Sequence, residues 1–249
     1  MISHGSRRKG DLRGVIFDMD GVIIDSHPAH RRAWQKFLEN LGQKISEDDL
    51  DYILDGRKRS EILRHFFGEL SEPEIVAYGR RKDEFFQQAF LEVRPVPGVL
   101  EFFDHLRRRK IAMAIATSAS KTRTCSTLDR LQLTSHFKVI VTGDDVAEGK
   151  PDPAIYRVAC QRLGVSPENA LAIEDAVSGV RAANGAGIRC VAVAGHESAA
   201  KLRDAGADHV IENFVGFSVT ELRTALRRTD QPGSRRDPRK RFAMNHLWG

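Results

Sequence analysis

Short runs of aliphatic residues recur along the chain, and most of them end at Gly, Asp or Asn. Nearly every position within a run is apolar, which is typical of strands whose two faces are both covered by other elements. We predict six strands from these runs, at residues 14–19, 111–117, 138–143, 170–175, 190–195 and 208–213.

Amphipathic segments fill most of the intervals between these runs. Residues 99–110, 154–164 and 178–187 place apolar side chains three to four positions apart, as an α-helix with one buried face does. The alternation of strands and helices predicts an α/β fold, a doubly wound parallel sheet with right-handed crossovers. In such a sheet, ligands bind beyond the carboxyl ends of the strands.

One interval between predicted elements is much longer than the others. About 70 residues lie between "GVIIDS" (21–26), just after the first strand, and "VPGVLEFF" (96–103), where the helix at 99–110 begins, whereas a crossover requires roughly 10–12 residues. Helical patterns fill this interval, at residues 27–42, 48–56, 58–68 and 72–92. An all-helical insertion of this length predicts a second, smaller domain.

The insertion divides the predicted chain into a core and a cap. We place the helical cap at residues 28–93, with hinge crossings near residues 25–28 and 94–98, where Pro and Gly punctuate the sequence. The α/β core then consists of residues 13–27 and 94–228.

The formal charge of the 249-residue chain is +5, and it is unevenly distributed. Residues 1–13 hold four basic residues and one acidic residue, and residues 229–249 hold five basic and two acidic residues, so each end carries +3. About −1 remains for everything between them. We therefore predict basic, solvated tails at 1–12 and 229–249 and expect no nucleic-acid partner, because the basic charge forms no folded face.

The sequence lacks the features of membrane and secreted proteins. No apolar run approaches the roughly 18 residues of a membrane span, and no hydrophobic stretch follows the charged N-terminus as it would in a secretory signal. Cys125, Cys160 and Cys190 lie far apart, which argues against a disulfide framework or a zinc site. We expect a cytoplasmic monomer with no membrane partner.

Two aspartates, Asp18 and Asp20, close the first apolar run. Residues i and i+2 of a strand point to the same side, so two carboxylates would lie next to each other. Like charges at that separation repel unless a cation compensates them. The pair is therefore either a solvated turn or a site that holds a cation.

Other strand ends supply further chemically active side chains. Thr117 and Ser118 follow the 111–117 strand, Lys150 follows the 138–143 strand, and Glu174 and Asp175 end the 170–175 strand. The carboxyl ends of parallel strands meet at one edge of a sheet, so these groups are expected to converge there.

This set of residues suits phosphoryl transfer, whose transition state requires neutralisation of charge on the equatorial oxygens. Asp18 is the candidate nucleophile and Asp20 the candidate general acid and base. Asp18, Glu174 and Asp175 offer the oxygen ligands that Mg²⁺ prefers. Thr117, with the following backbone amides, would bind an anion at a helix N-terminus.

Lys150 would balance the negative charge of the nucleophile and the phosphate together.

Taken singly, each of these residues has an ordinary alternative role. An Asp-x-Asp sequence is often a turn or a helix cap, Thr117 is also a normal N-cap residue, and an exposed lysine before a proline is unremarkable. Their arrival from separate strand ends is what favours the catalytic interpretation.

The sequence resembles the haloacid dehalogenase-like hydrolases, in the branch with a helical cap inserted after the first motif. The segments "FDMDGVIIDS", "AIATS", "EGKPDPAIY" and "AIEDAVSGVRAANGAG" are similar to its nucleophile, hydroxyl, lysine and acidic motifs, in that order. The resemblance covers roughly residues 14–217. It implies a Rossmann-like core, Asp18 as nucleophile, and a Mg²⁺ site at Asp18, the backbone carbonyl of Asp20, Glu174 and Asp175.

The resemblance also implies which residues contact substrate. Thr117 or Ser118, together with Lys150, would hold phosphate, and the end of the apolar run favours Thr117. In the related β-phosphoglucomutases and sugar-phosphate phosphatases, a histidine at the position of His30 helps to place the acid or the substrate. Arg59, or alternatively Arg57, and Lys82 resemble cap residues that contact the substrate.

An aspartate at position 20 indicates phosphate esters, since the family members that cleave carbon–halogen bonds need no acid there. The leading hypothesis is a Mg²⁺-dependent phosphatase that acts on a small phosphorylated metabolite through an aspartyl-phosphate. The alternative is a β-phosphoglucomutase-type isomerase, which differs in whether water or a sugar hydroxyl accepts the phosphoryl group. A third hypothesis, from another class, is a nucleic-acid-binding protein that uses the basic tails.

Overall fold

The computed structural model describes residues 11–220 and Leu222. The predicted basic tails, 1–12 and 229–249, lie outside these residues except for Asp11 and Leu12. The strands are β1 (Gly14–Phe17), β2 (Ile24–Asp25), β3 (Arg94–Pro95), β4 (Ala112–Ala116), β5 (Val139–Val141), β6 (Ala170–Glu174), β7 (Arg189–Val193) and β8 (His209–Ile211). The helices are α1 (His27–Glu39), α2 (Glu47–Leu54), α3 (Arg59–Phe67), α4 (Glu72–Ala89), α5 (Val99–Arg108), α6 (Lys121–Arg130), α7 (Ala154–Leu163), α8 (Val177–Gly185) and α9 (Ala199–Asp204).

Six strands form one parallel sheet in the order β5-β4-β1-β6-β7-β8. Five of the six lie within the predicted apolar runs, and β7 begins one residue before its run, at Arg189, so the predicted doubly wound α/β fold is confirmed. The first strand, β1, occupies the centre and pairs with β4 on one side and β6 on the other. The chain adds β4 and β5 on one side of β1 and β6 to β8 on the other, so the connections change direction at β1. In open α/β sheets, ligands bind at such a switch point.

The two faces of the sheet support separate halves of the core. Val15 and Phe17 of β1 pack into one apolar cluster, whereas Ile16 packs into the other. Phe17 meets the ring of Phe103, in α5, edge to face at a centroid distance of 5.2 Å. All three β1 residues are completely buried, and each such aliphatic or aromatic side chain contributes roughly 1.5–3 kcal/mol. The rigid centre of the sheet thus fixes the backbone that leads to residue 18.

Helices α1 to α4 fill the long interval and form an apolar cluster of their own around Trp34, Phe37 and Leu63. The predicted all-helical insertion is therefore present, and a short 3₁₀ turn, Phe90–Glu92, ends it. Ser71 starts α4 with a capping box, in which its side chain and that of Glu74 satisfy each other's backbone N–H groups. The division into a core and a cap with boundaries at 28 and 93 stays a prediction.

The two chain crossings between the insertion and the sheet pair with each other. Strands β2 and β3 form an antiparallel ladder in which Ile24 opposes Pro95 and Asp25 opposes Arg94. The N–H of Val96 also donates to the carbonyl of Ile23 at 2.9 Å. The insertion therefore leaves and re-enters the core at adjacent points. Among the described residues, no helix combines the length and apolarity needed to cross a membrane.

Candidate active site

Asp18 lies immediately beyond β1, and its backbone still follows the sheet. Its N–H donates to the carbonyl of Ile173 at 2.9 Å, which extends the β1–β6 pairing by one residue. The residue as a whole is only 7% exposed. The carboxylate is therefore held at the carboxyl edge of the sheet, as the sequence predicts.

Lys150 joins Asp18 to the end of β6. Its Nζ lies 2.5 Å from Asp18 Oδ1 and 2.6 Å from Glu174 Oε1, and all three side chains are buried. Tyr156 donates its hydroxyl to the same Glu174 oxygen at 2.5 Å. Burial opposes the charge on Lys150, but the two carboxylates outweigh it and raise its pKa above the ordinary lysine value. The lysine is therefore a permanently charged group inside the site.

Three carboxylates lie close enough to share a cation. Oxygen atoms of Asp18, Glu174 and Asp175 all lie within 4.8 Å of one another. Burial, together with the neighbouring carboxylates, raises the pKa of Asp18 to about 7 despite Lys150, and it raises the pKa of Asp175 well above the ordinary aspartate value. A set of hard oxygen donors whose charges repel one another fits Mg²⁺, because a dication would relieve that repulsion.

His27 supports this cluster from the start of α1. Its Nε2 lies 3.1 Å from Asp175 Oδ2, and its ring lies 5.1 Å from that of His196. A histidine that donates to a metal-binding carboxylate fixes the orientation of that ligand. Gly21 lies against the same carboxylate with φ at +75°, and a Cβ there would be 2.0 Å from Asp175 Oδ2. The chain thus makes room for Asp175 with a residue that also tolerates the left-handed backbone.

Asp20 is held by three side chains. Ser26 donates its hydroxyl to Asp20 Oδ1 at 2.6 Å, and His30 Nε2 lies 3.2 Å from the same oxygen. Arg123 spans both carboxylate oxygens, with Nη1 3.1 Å from Oδ1 and Nη2 2.5 Å from Oδ2. Burial disfavours the ionised carboxyl, but Arg123 and His30 outweigh it and hold the pKa of Asp20 well below the ordinary value.

A buried lysine contacts the far side of His30. Lys82 Nζ lies 3.0 Å from His30 Nδ1. Burial, followed by the charge of Lys82, lowers the pKa of His30 to about 3. An ammonium group only donates, so Nδ1 accepts from Lys82 and Nε2 carries the proton that faces Asp20. The two residues therefore direct a hydrogen bond from the insertion onto the candidate acid.

Burial also lowers the pKa of Lys82 itself, to about 7. Its Nζ lies 5.0 Å from the ring centroid of Phe86 and 5.4 Å from that of Trp34. Asp83, the next residue along α4, holds Arg59 through a 2.7 Å contact between carboxylate and guanidinium. Arg57, the other arginine considered, lies 3.5 Å from Asp55. The predicted cap residues are thus positioned by neighbours in the insertion.

Thr117 and Ser118 follow β4 and lead into α6. The Thr117 hydroxyl oxygen accepts from the N–H of Ala119 at 3.2 Å, and Ser118 donates its hydroxyl to the carbonyl of Gly56 at 2.5 Å. Both line the same cavity as Asp18 and Asp20. Which of the two contacts phosphate stays a prediction.

The insertion closes over the sheet edge and leaves a cavity of about 90 Å³. Lys58 Nζ donates to the carbonyls of Val146 and Ala147 at 2.8 and 3.0 Å, and Ser178 donates through N–H and hydroxyl to Asp55. Every predicted site residue lines this cavity except Lys150, which lies beneath Asp18 and Glu174. The lining residues among those predicted are Asp18, Asp20, His30, Arg59, Lys82, Thr117, Ser118, Glu174 and Asp175.

Several residues that shape the site were not singled out from the sequence as site residues. Ser26 ends the "FDMDGVIIDS" motif and His27 follows it, but neither has a spacing that identifies its partner. Tyr156 lies on an apolar face of α7 and is indistinguishable there from a core aromatic. Arg123 had one available signal: it shares the buried face of α6 with Thr124, Thr127 and Leu128.

Comparison with known proteins matches residues 15–193 to the haloacid dehalogenase-like hydrolases. The phosphorylated carbohydrates phosphatase of Thermotoga maritima is 36% identical over 179 residues, which covers 71% of this chain and 82% of that protein. The structure of CbbY from Rhodobacter sphaeroides in complex with phosphate has a TM-score of 0.71 and 31% identity, covering 85% of this chain and 99% of that one. The structure of β-phosphoglucomutase from Clostridium difficile has a TM-score of 0.77 and 25% identity, covering 87% and 98%.

The matched span begins in β1 and ends in β7, so it contains all four sequence motifs and the helical insertion. The relatives are covered over most of their own lengths, so the similarity is not confined to one motif. This chain belongs to the haloacid dehalogenase-like hydrolase family.

Proposed function

We propose that this protein is a Mg²⁺-dependent phosphatase that hydrolyses a small phosphorylated metabolite, such as a sugar phosphate, through an aspartyl-phosphate intermediate. The observation that carries the proposal is the contact of Lys150 with both Asp18 and Glu174 beside Asp175. A buried nucleophile, a fixed cation and a carboxylate cluster for a dication are the parts that phosphoryl transfer needs.

The reaction has two steps. Because Arg123 and His30 favour the ionised form of Asp20, Asp20 first takes up a proton from solvent. An Asp18 oxygen then attacks phosphorus, the bond from phosphorus to the ester oxygen breaks, and Asp20 gives that proton to the leaving oxygen. Asp20, now a carboxylate, then takes a proton from water as the water oxygen attacks phosphorus and releases Asp18. Arg123 and His30 already hold Asp20 within the cavity, next to Asp18.

The remaining residues bind and neutralise the phosphoryl group. Asp18, Glu174, Asp175 and the carbonyl of Asp20 would hold Mg²⁺, which supplies positive charge to the phosphoryl oxygens. Lys150 adds a second positive charge, and Thr117 or Ser118 donates a hydrogen bond to phosphate. Closure of the insertion over the cavity excludes bulk water from the reacting groups.

The insertion supports a polar, phosphorylated substrate. Arg59, Lys82 and Asp83 bring charged groups to the wall of the cavity that Asp18 also lines, while Trp34 adds an aromatic side chain. These groups suit a ligand with hydroxyls and negative charge. The similarity to a phosphatase of phosphorylated carbohydrates, and to a CbbY structure that contains phosphate, favours this substrate class.

An isomerase of the β-phosphoglucomutase type is the second candidate, because the fold matches that enzyme with a TM-score of 0.77. Both reactions share the aspartyl-phosphate and differ in the acceptor. The test is purified protein with Mg²⁺ against sugar phosphates, phosphoglycolate and nucleotides, with released phosphate and β-glucose 1-phosphate isomerisation measured in parallel. Phosphate release that exceeds isomerisation supports the phosphatase, and the reverse supports the mutase.

Asp18→Asn is the decisive variant, and Asp25→Asn is its matched control. Asp25 belongs to the same motif but is exposed on β2, outside the cavity. We expect Asp18→Asn to abolish either activity and Asp25→Asn to retain it. Turnover by Asp18→Asn at the wild-type rate on its best substrate would overturn the assignment of the nucleophile.

A further inference from the structure

Arg123 is a buried arginine that the resemblance to the family does not assign. It lies in the first turn of α6, with its side chain 8% exposed. Its guanidinium makes two hydrogen bonds to Asp20, one to each carboxylate oxygen, at 3.1 and 2.5 Å. The two residues are 103 positions apart in sequence, so the contact depends on the tertiary fold.

The geometry of this pair fixes the orientation of the carboxylate. A guanidinium that bonds both oxygens restricts rotation of the carboxylate plane, which a single donor does not. Ser26 and His30 both contact Oδ1 of Asp20. Among the described residues, Arg123 is the one that donates a hydrogen bond to Oδ2. Without Arg123, Asp20 would keep partners on one oxygen and lose the contact that sets the position of the other.

Arg123 is also the charged partner of Asp20 that comes from the core. His30 is buried and neutral, and it reaches Asp20 from α1 of the insertion. The Arg123 guanidinium carbon lies 5.4 Å above the ring of Phe86, and that ring stacks on His30 at 4.3 Å. Arg123 therefore donates hydrogen bonds to Asp20 and also faces the ring of Phe86, which belongs to the insertion.

We propose that Arg123 is a positioning residue for the reaction: it holds the Asp20 carboxyl group in the orientation from which a proton passes to the leaving oxygen. This inference rests on the proposed phosphatase function. Before the step, Asp20 takes up a proton from solvent on one oxygen, while its other oxygen keeps accepting from Arg123. In the step itself, the bond between phosphorus and the ester oxygen breaks while that oxygen takes the Asp20 proton. Arg123 gives up no proton and is unchanged by the step.

The leaving group provides a readout that separates this role from substrate binding. An alkyl phosphate such as a sugar phosphate expels a basic alkoxide and needs the acid, whereas 4-nitrophenyl phosphate expels a stable phenolate and does not. The ratio kcat/KM reports events up to formation of the aspartyl-phosphate, so the later attack of water does not enter it. General acid catalysis is typically worth roughly 10²–10⁴-fold.

We expect Arg123→Ala to lower kcat/KM about 10- to 100-fold for the best alkyl phosphate and by less than about 3-fold for 4-nitrophenyl phosphate. Arg123→Lys, which keeps the charge but not the paired donors, is expected to lie between Arg123→Ala and the wild type. Arg123→Gln keeps part of the side-chain stem without the charge and serves if the alanine variant does not fold. An equal loss on both substrates, or no loss on either, would overturn the proposal.

Arg130 provides the matched control on the same helix. Its guanidinium lies 3.8 Å above the ring of Phe90 and donates to Gln87, so it also bridges core and insertion, but it does not touch Asp20. We expect Arg130→Ala to leave the ratio between the two substrates unchanged. The same selective loss in Arg130→Ala would show that any weakened contact with the insertion has this effect, and it would overturn the role of Arg123.

A double-mutant cycle with Asp20→Asn tests whether Arg123 acts through Asp20. In the Asp20→Asn background, Arg123→Ala should cause no further loss on the alkyl substrate, because the group that it positions is gone. Additive losses would overturn the proposal. Failure of the phosphatase assignment is distinguishable from all of these outcomes, since it appears as activity that survives Asp18→Asn.

Discussion

Lys150 Nζ lies 2.5 Å from Asp18 Oδ1, although the two residues are 132 positions apart in sequence. The same amine contacts Glu174 at 2.6 Å. One lysine therefore compensates two buried carboxylates that come from the ends of β1 and β6. The site exists as a unit only when the sheet has formed, because each charge depends on the others for compensation.

Removing this lysine should destabilise the fold as well as abolish activity. Lys150→Met leaves Asp18 and Glu174 buried without their cation, and breaking a buried pair in this way typically costs about 3–5 kcal/mol. Urea unfolding at neutral pH measures the change. Lys58→Met, which removes an amine whose described hydrogen bonds go to two backbone carbonyls, is the control and should cost less. A Lys150→Met midpoint equal to the wild type would contradict the predicted role of the buried amine.

Mg²⁺ should raise the melting temperature of the protein. The dication would relieve repulsion among Asp18, Glu174 and Asp175, and binding to the folded state alone stabilises by about 2.7 kcal/mol at 100 times Kd. Differential scanning fluorimetry with Mg²⁺ and with EDTA measures the shift. We expect Asp175→Ala to remove the response and Glu69→Ala, an exposed carboxylate elsewhere, to keep it. A shift that survives in Asp175→Ala would place the ion at another site.

Lys82→Met should stabilise the protein, most strongly below neutral pH. Burial lowers the pKa of Lys82 from 10.5 to about 7, so between these values the unfolded chain binds a proton that the folded chain does not. Wild-type stability therefore rises with pH through this window, and the full penalty of the buried charge applies below pH 7. The variant lacks this dependence.

We expect Lys82→Met to exceed the wild type by about 1–4 kcal/mol at pH 6.5, with a smaller difference at pH 9. Urea unfolding at the two pH values measures both quantities. Lys36→Met, at an exposed position of α1, should show no such pH dependence. If the stability difference between Lys82→Met and the wild type grew from pH 6.5 to pH 9, the contacts of the charged lysine would stabilise the fold by more than its burial destabilises it.

Gly79→Ala should separate substrate binding from stability. Gly79 lies within α4, and a Cβ there would be 2.6 Å from Arg59 Cζ, so the guanidinium has to move. Alanine is favoured over glycine inside a helix by about 1 kcal/mol, and the Arg59 side chain is partly exposed and able to shift. We expect an unchanged or higher melting temperature with KM raised about 10-fold, if one charge-assisted hydrogen bond to substrate is lost.

Arg59→Ala provides the comparison for Gly79→Ala. The two variants should raise KM by similar factors, and the double variant should add little, because both act on the same guanidinium. An effect of Gly79→Ala that persists in full in the Arg59→Ala background would mean that the glycine is needed for another reason.

The positions of Asp18 and Glu174 could be predicted from the sequence because a buried strand appears as a continuous apolar run that stops at the first polar residue. Asp18 and Glu174 each end an uninterrupted apolar run, and the parallel topology then determines that they meet. Arg123 carried no comparable signal. It and Arg130 are both arginines of α6, and only tertiary packing buries the first and exposes the second. Local periodicity cannot identify a partner 103 residues away.

The same limit applies within the insertion. Lys82 follows two arginines, and nothing in the "RRK" sequence distinguishes the buried lysine from its exposed neighbours. The resemblance to the family predicted that Lys82 contacts the substrate and that His30 helps to place the acid or the substrate. Their contact with each other, and the neutral state of His30 that follows from it, depend on packing against Phe86 and were found only in the structure.

The antiparallel ladder between β2 and β3 gives the insertion the topology of a very large hairpin loop. Closing a loop of about 70 residues costs little more free energy than closing one half as long, because the entropy depends on the logarithm of length. The sheet therefore tolerates changes of length between Asp25 and Arg94, as long as the residues that pack on the core, such as Ala29 and Phe86, are kept. Substrate preference can diverge in that segment while the nucleophile, lysine and acidic motifs stay fixed in the sheet.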